Sequence, residues 1–196
     1  MSIVMTGNVN TFFGDALGTA LSTNRVEASS GAKEYLVGVL VDFARCGEVA
    51  STLKRPVALM LDEALSAPPA ERFERLKGVG DNSLYVSGFF PEHLNARGVD
   101  STYVARLGST AYNVAAGMIG GGDGGAGDLF GELAARFDGF VRVLREVADG
   151  LFASSARDAS SIVKVYERWR RTGSEPLGRA LAAQGLVPVR PAGGVH

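Results

Sequence analysis

Apolar residues recur at helical spacing along nearly the whole chain. Between Thr11 and Leu21, the residues Phe12, Phe13, Ala16, Leu17, Ala20 and Leu21 fall at i, i+1, i+4, i+5, i+8 and i+9, which is one face of a helix. Thr11 is placed to cap it and Asp15 suits its first turn. Gly14 and Gly18 weaken the pattern, since a mid-helix glycine costs about 1 kcal/mol against alanine. Residues 1–10 carry no clear period and read as a flexible N-terminus. From Ala32 to Cys46 the pattern strengthens: Leu36, Val39, Leu40 and Phe43 form a stripe that Val37 and Val41 widen, and Gly47 ends it. Pro56 opens a helix carrying Val57, Leu59, Met60, Leu61, Ala64 and Leu65. Pro68 and Pro69 end it, and Pro69 starts another over Ala70–Lys77 with Phe73 and Leu76 inward, closed by Gly78 and Gly80.

The stretch Asp81–Pro91 fits a helical face through Tyr85, Val86, Phe89 and Phe90, although Leu84, Tyr85 and Val86 would also tolerate a strand. Its helical neighbours favour a helix begun by Asp81 and ended before Pro91, with a short turn through His93 and Leu94 up to Gly98. Asp100 or Ser101 caps the next helix, whose apolar face runs Tyr103, Val104, Leu107, Ala111, Val114, Ala115 and Met118. Residues 120–127 read as a Gly-rich loop. A long helix then spans Asp128 to about Phe152, with Leu129, Leu133, Phe137, Phe140, Val141, Leu144 and Val147 inward. Asp158 or Ser160 starts another, carrying Ile162, Val165, Tyr166 and Trp169 and closed by Gly173. Ser174 begins the last, which Gly185 closes, and 188–196 reads as a flexible tail.

No segment alternates strictly and no βαβ rhythm or fixed repeat occurs. The expectation is an all-α fold, a single-domain bundle of about seven to nine helices over 11–187. Composition supports it: 46% hydrophobic residues can fill a core, and 196 residues suit one domain. The net charge of -1 lacks the basic excess of a nucleic-acid binder, so no nucleic-acid partner is expected. Cys46 is the single cysteine, which excludes an internal disulfide. Arg25 is the first basic residue, so no charged leader precedes an apolar stretch. The most apolar helical run, Tyr35–Val41, falls far short of the roughly 20 residues of a membrane span, and a cytoplasmic location is expected.

Three segments carry a resemblance: Ala70–Leu94, Val165–Leu177 and Tyr35–Phe43. Together they resemble an uncharacterised family of all-helical proteins from delta-type proteobacteria, over about Thr11 to Pro188, with residues 120–127 as an insertion against it. The family has no established activity, so the resemblance implies a helical fold and no site.

Candidate chemistry is sparse. Nucleophilic catalysis needs a base beside the nucleophile, and with His196 at the end of the tail, His93 is the usable histidine. No Gly-x-Ser-x-Gly elbow, Cys/His ligand spacing, Glu-x-x-His motif or calcium loop occurs, so no catalytic residues, metal or cofactor are expected. The Gly-rich loop lacks the Gly-Lys-Ser/Thr ending of a phosphate cradle, and Asp123 and Asp128 would repel phosphate. Arg168, Arg170 and Arg171 flank Trp169, but cations are favoured at a helix C-terminus in any case.

The stretch from Asp81 to Phe90 joins small polar groups to Tyr85, Phe89 and Phe90. Core packing is the ordinary reading of such aromatics; the functional one is the wall of an inter-helix cavity. On that reading Leu84, Tyr85, Phe89, Phe90, Tyr103, Tyr112, Phe137, Phe140 and Trp169 line a ligand site. Tyr103 and Tyr112 are expected on one side of their helix, and Gly88, Gly108 and Gly117 leave room. Three functions are carried forward. The leading one is a non-enzymatic protein holding a fatty acid or other lipid between helices. The second is an interaction or scaffolding module, as a homodimer through a helix face. The third is an enzyme using Asp81, Ser83, Tyr85 and His93.

Overall fold

A computed structural model describes residues 3–46, 55–119 and 126–186. Gly47, residues 120–125 and the tail 188–196 lie outside them. The described residues form ten α-helices and no strand: α1 (Ile3–Asn24), α2 (Ser30–Cys46), α3 (Val57–Ser66), α4 (Pro69–Phe89), α5 (Pro91–Ala96), α6 (Ser101–Ile119), α7 (Ala126–Ala135), α8 (Phe137–Ser155), α9 (Ala159–Thr172) and α10 (Glu175–Ala183). The all-α expectation holds. No helix among the described residues is long and apolar enough to cross a membrane.

Several boundaries move for physical reasons. The first helix begins at Ile3 and takes in most of the segment expected to be flexible. Gly78 and Gly80 do not stop a helix; α4 runs 21 residues straight through them. Asp81 is therefore mid-helix and caps nothing. The long helix expected over Asp128–Phe152 is divided at Arg136, although the Arg136 and Phe140 amides still donate to Glu132 and Arg136 at 3.0 Å. The proline reading stands. The Pro56 carbonyl takes the Leu59 and Met60 amides, and the Pro68 carbonyl takes those of Glu71 and Arg72.

The chain packs as two compact units, Met1–Leu144 and Arg145–His196. In the first, α4 and α6 pack together, α7 packs on α6, α3 on α4, and α1 on α2. One apolar cluster joins Leu61 and Ala64 of α3, Leu76 and Val79 of α4, and Ala111 and Ala115 of α6. Val86, Leu94 and Val104 form a second under α5. Two glycines set how closely the helices approach. A Cβ on Gly80 would meet the Tyr112 ring at 2.3 Å, and one on Gly108 would meet Phe137 and Ser83 at 2.5 Å. These contacts explain why α4 and α6 carry glycine where helix propensity opposes it.

In the second unit, Asp158 and Ser161 form a reciprocal capping box at the start of α9. The Ser161 amide and hydroxyl hold the exposed Asp158 carboxyl below its usual range. Gly173 closes α9 in the left-handed conformation, φ 65°. Val165, Trp169, Leu177 and Leu181 form its core, with Phe152, Ala153, Ala156 and Ile162 against them. Arg168 donates to the buried Asp149 at 2.6 Å and lies over the Phe152 ring. One cation of the Arg168–Arg171 cluster is thus committed internally.

The two classes of glycine respond oppositely to alanine. Gly80→Ala and Gly108→Ala should each lower unfolding free energy by about 1–3 kcal/mol through overpacking. Gly78, with open space over it, should gain up to about 1 kcal/mol on the same change. Urea denaturation measures all three.

Candidate functional site

A densely bonded polar group of the first unit is the Asp81 carboxylate. Asp81 lies one helical turn after Lys77, so the two share a face of α4. Oδ2 accepts from Lys77 Nζ at 3.0 Å. Oδ1 accepts from Tyr35 Oη of α2 at 2.5 Å and from Tyr112 Oη of α6 at 2.7 Å. The Lys77 ammonium also stands 5.4 Å from the centre of the Tyr35 ring, within cation–π range. Three helices therefore meet on one side chain that is 14% exposed.

The rings around it pack edge to face or tilted. Phe130 of α7 meets Tyr35 and Phe73 at 5.4 Å and Tyr112 at 5.7 Å, and Tyr112 meets Phe137 at 5.8 Å. Burial, and then the Asp81 charge, push the Tyr35 and Tyr112 hydroxyls well above the ordinary tyrosine range. In this arrangement Asp81 is an anchor: its oxygens accept from two hydroxyls and an ammonium.

The expected site residues fall into separate environments. Tyr85 stacks on Phe43 of α2 at 4.0 Å and 3°, and touches Phe89 and Phe90, both half-buried. Burial raises the Tyr85 hydroxyl also. Leu84, Tyr112, Phe137 and Phe140 are buried, and Gly108 gives its space to Phe137 and Ser83 rather than to a cavity. Tyr103 and Tyr112 do not share a side. Nine residues make two and a half turns at 3.6 per turn, and Tyr103 is 51% exposed where Tyr112 is fully buried. Trp169 belongs to the second unit, its indole against Gly178. Ser83 donates to the Val79 carbonyl at 2.7 Å, and His93 is half-buried on α5. Neither hydrogen-bonds to Asp81.

Sequence reasoning missed Tyr35, Lys77 and Phe130. The i, i+4 spacing of Lys77 and Asp81 was a readable signal; the convergence of Tyr35 and Tyr112, 46 and 31 residues from Asp81, was not.

A groove of about 450 Å³ runs between α1 and α2, lined by Asn10, Gly14, Leu17, Gly18, Lys33, Glu34, Val37 and Gly38. Leu17 is buried and gives it an apolar floor, while Asn10, Lys33 and Glu34 are exposed at its rim. The second unit has a smaller apolar pocket of about 240 Å³ between Ile162, Val165, Ala180 and Leu181. Among the described residues no group of three His, Cys, Asp or Glu side chains could hold a metal ion. No family model, curated protein or solved structure matches the chain.

The Asp81 cluster has a pH signature. The unfolded chain ionises these phenols near pH 10.0, whereas the folded chain keeps them protonated. Above that pH the unfolded state binds fewer protons, so this contribution to stability is intact below pH 10.0 and is lost as pH rises beyond it. Urea midpoints taken between about pH 9 and 11 should fall steeply in the natural chain and less steeply in Tyr35→Phe/Tyr112→Phe. Equal slopes would contradict the assignment.

Proposed function

We propose that this chain is a non-enzymatic helical protein that binds an apolar small molecule, a fatty acid or other lipid, in the groove between α1 and α2. The observation that carries the reading is the placement of three unpacked glycines. A Cβ on Gly14, Gly18 or Gly38 would meet nothing within 4 Å, yet each sits inside a helix and lines this groove. Each gives up about 1 kcal/mol against alanine with no internal contact in return. Gly78, Gly117, Gly131 and Gly150 are equally bare but line neither this groove nor the pocket of the second unit.

Bare backbone allows a ligand to approach closely. The groove's volume lies in the range of small-molecule sites, and its mix of Leu17 and Val37 with a few polar rim groups suits an amphiphile. From Asn10 to Gly18 it extends about 12 Å along α1 at 1.5 Å per residue.

The test fills the groove from the backbone outward. Delipidated protein is titrated with a fluorescent fatty-acid analogue, beside Gly14→Leu, Gly18→Leu and Gly38→Leu. Affinity should drop at least about tenfold in the variants, since each side chain takes ligand space, while urea stability does not fall. Unchanged affinity in all three, or no binding by the natural chain, would defeat the reading.

A further inference from the structure

We infer that the α1–α2 hairpin opens from the rest of the first unit as one element, and that the Tyr35–Asp81 hydrogen bond is its latch. The inference is independent of any ligand in the groove. It rests on how the hairpin is attached. Helix α1 packs on α2, and α2 packs against α4 and α7. Beside the buried aliphatic residues Leu36, Val39 and Leu40, three polar and aromatic contacts attach the hairpin along α2. At the α1–α2 connection the Ser29 amide donates to Glu132 at 2.9 Å and Arg136 reaches the Glu27 carbonyl, both at exposed positions. At mid-helix Tyr35 donates to Asp81, and further along Phe43 lies flat on Tyr85. The first is a surface tether at the turn and can serve as the hinge. The other two lie over the aromatic surface formed by Phe130, Tyr112 and Tyr85.

The bonding of Asp81 makes this opening separable from unfolding. Stripping a largely buried carboxylate of all its partners is costly, because the charge is left uncompensated. Asp81 has three donors, and two of them, Lys77 and Tyr112, come from α4 itself and from α6. When Tyr35 leaves, the charge stays paired on both oxygens and the Tyr35 hydroxyl passes to water. No orphaned polar group remains in the α4–α6 core. Local opening of this kind is expected where one supersecondary unit can leave without breaking the bonds of the next. The opened form presents the faces of Phe130, Tyr112 and Tyr85 that the closed form covers.

Hydrogen exchange followed by mass spectrometry on the full chain separates the alternatives. Tyr35→Phe keeps the ring and removes only the latch. It should speed exchange in peptides from residues 9–46 by about tenfold or more, the effect of losing a hydrogen bond to a charged group, while peptides from α4 and α6 keep their rates. Tyr112→Phe breaks the other hydroxyl bond to the same oxygen and should instead speed α4 and α6. If Tyr35→Phe accelerates all four helices equally, or changes none, the inference is overturned. Should that variant fail to fold, exchange of the natural chain in rising sub-denaturing urea decides. Amides of α2 should then exchange through an opening distinct from that of α4 and α6, and a single shared opening overturns the proposal.

Discussion

The first unit depends on a carboxylate inserted where three helices meet. Burying a charge is costly unless it is paired and hydrogen-bonded, so Asp81 dictates what surrounds it. It takes donors from α2 and α6, which orients those helices toward α4. It also requires the tyrosines to approach closely, and Gly80 provides that room: its missing side chain is where the Tyr112 ring lies. Phe130 then closes the edges of both tyrosine rings and of Phe73. Polar satisfaction, glycine placement and aromatic packing are here one constraint seen from three sides. A half-satisfied network would be worse than an apolar core, which accounts for an arrangement with every Asp81 oxygen engaged.

That closed core redirects the search for function. Tyr85, Phe89 and Phe90 pack on one another, as do Tyr112, Phe130 and Phe137, and the Tyr112 hydroxyl bonds to Asp81. Space and unpaid helix propensity coincide instead at the α1–α2 surface, where Gly14, Gly18 and Gly38 leave backbone bare. Glycines of the same type thus serve opposite ends in one chain: two admit rings, and three admit nothing that belongs to the protein.

The helical architecture was legible because its signals are local. Prolines before α3 and α4, the Asp158 capping box and the left-handed Gly173 act within four residues of where they stand. The errors at Gly80 and Asp81 share one cause. Gly78 and Gly80 read as a stop because propensity opposes them inside a helix, but the Tyr112 ring, 32 residues on, decides the matter for Gly80. Asp81 read as a cap because Asp favours helix starts, and its partners were invisible without the fold. Tyr103 and Tyr112 were misplaced by counting faces loosely, an error the helical period itself corrects. Among the expected ligand residues, aromatic character did identify buried positions, Tyr85, Tyr112, Phe137 and Phe140; it carried no information on whether a cavity stood before them. The groove was written in Gly14 and Gly18 of α1, which the pattern marked only as weaknesses.

The central claim is that an apolar ligand lies over the bare glycines between α1 and α2 and not among the packed rings. Titration of isotope-labelled protein with decanoate, followed by backbone amide NMR, tests it most directly. The account predicts saturable shifts at Gly14, Gly18 and Gly38, with the amides of Leu84–Phe90 unmoved. Shifts centred on Leu84–Phe90, or none at all, would contradict it.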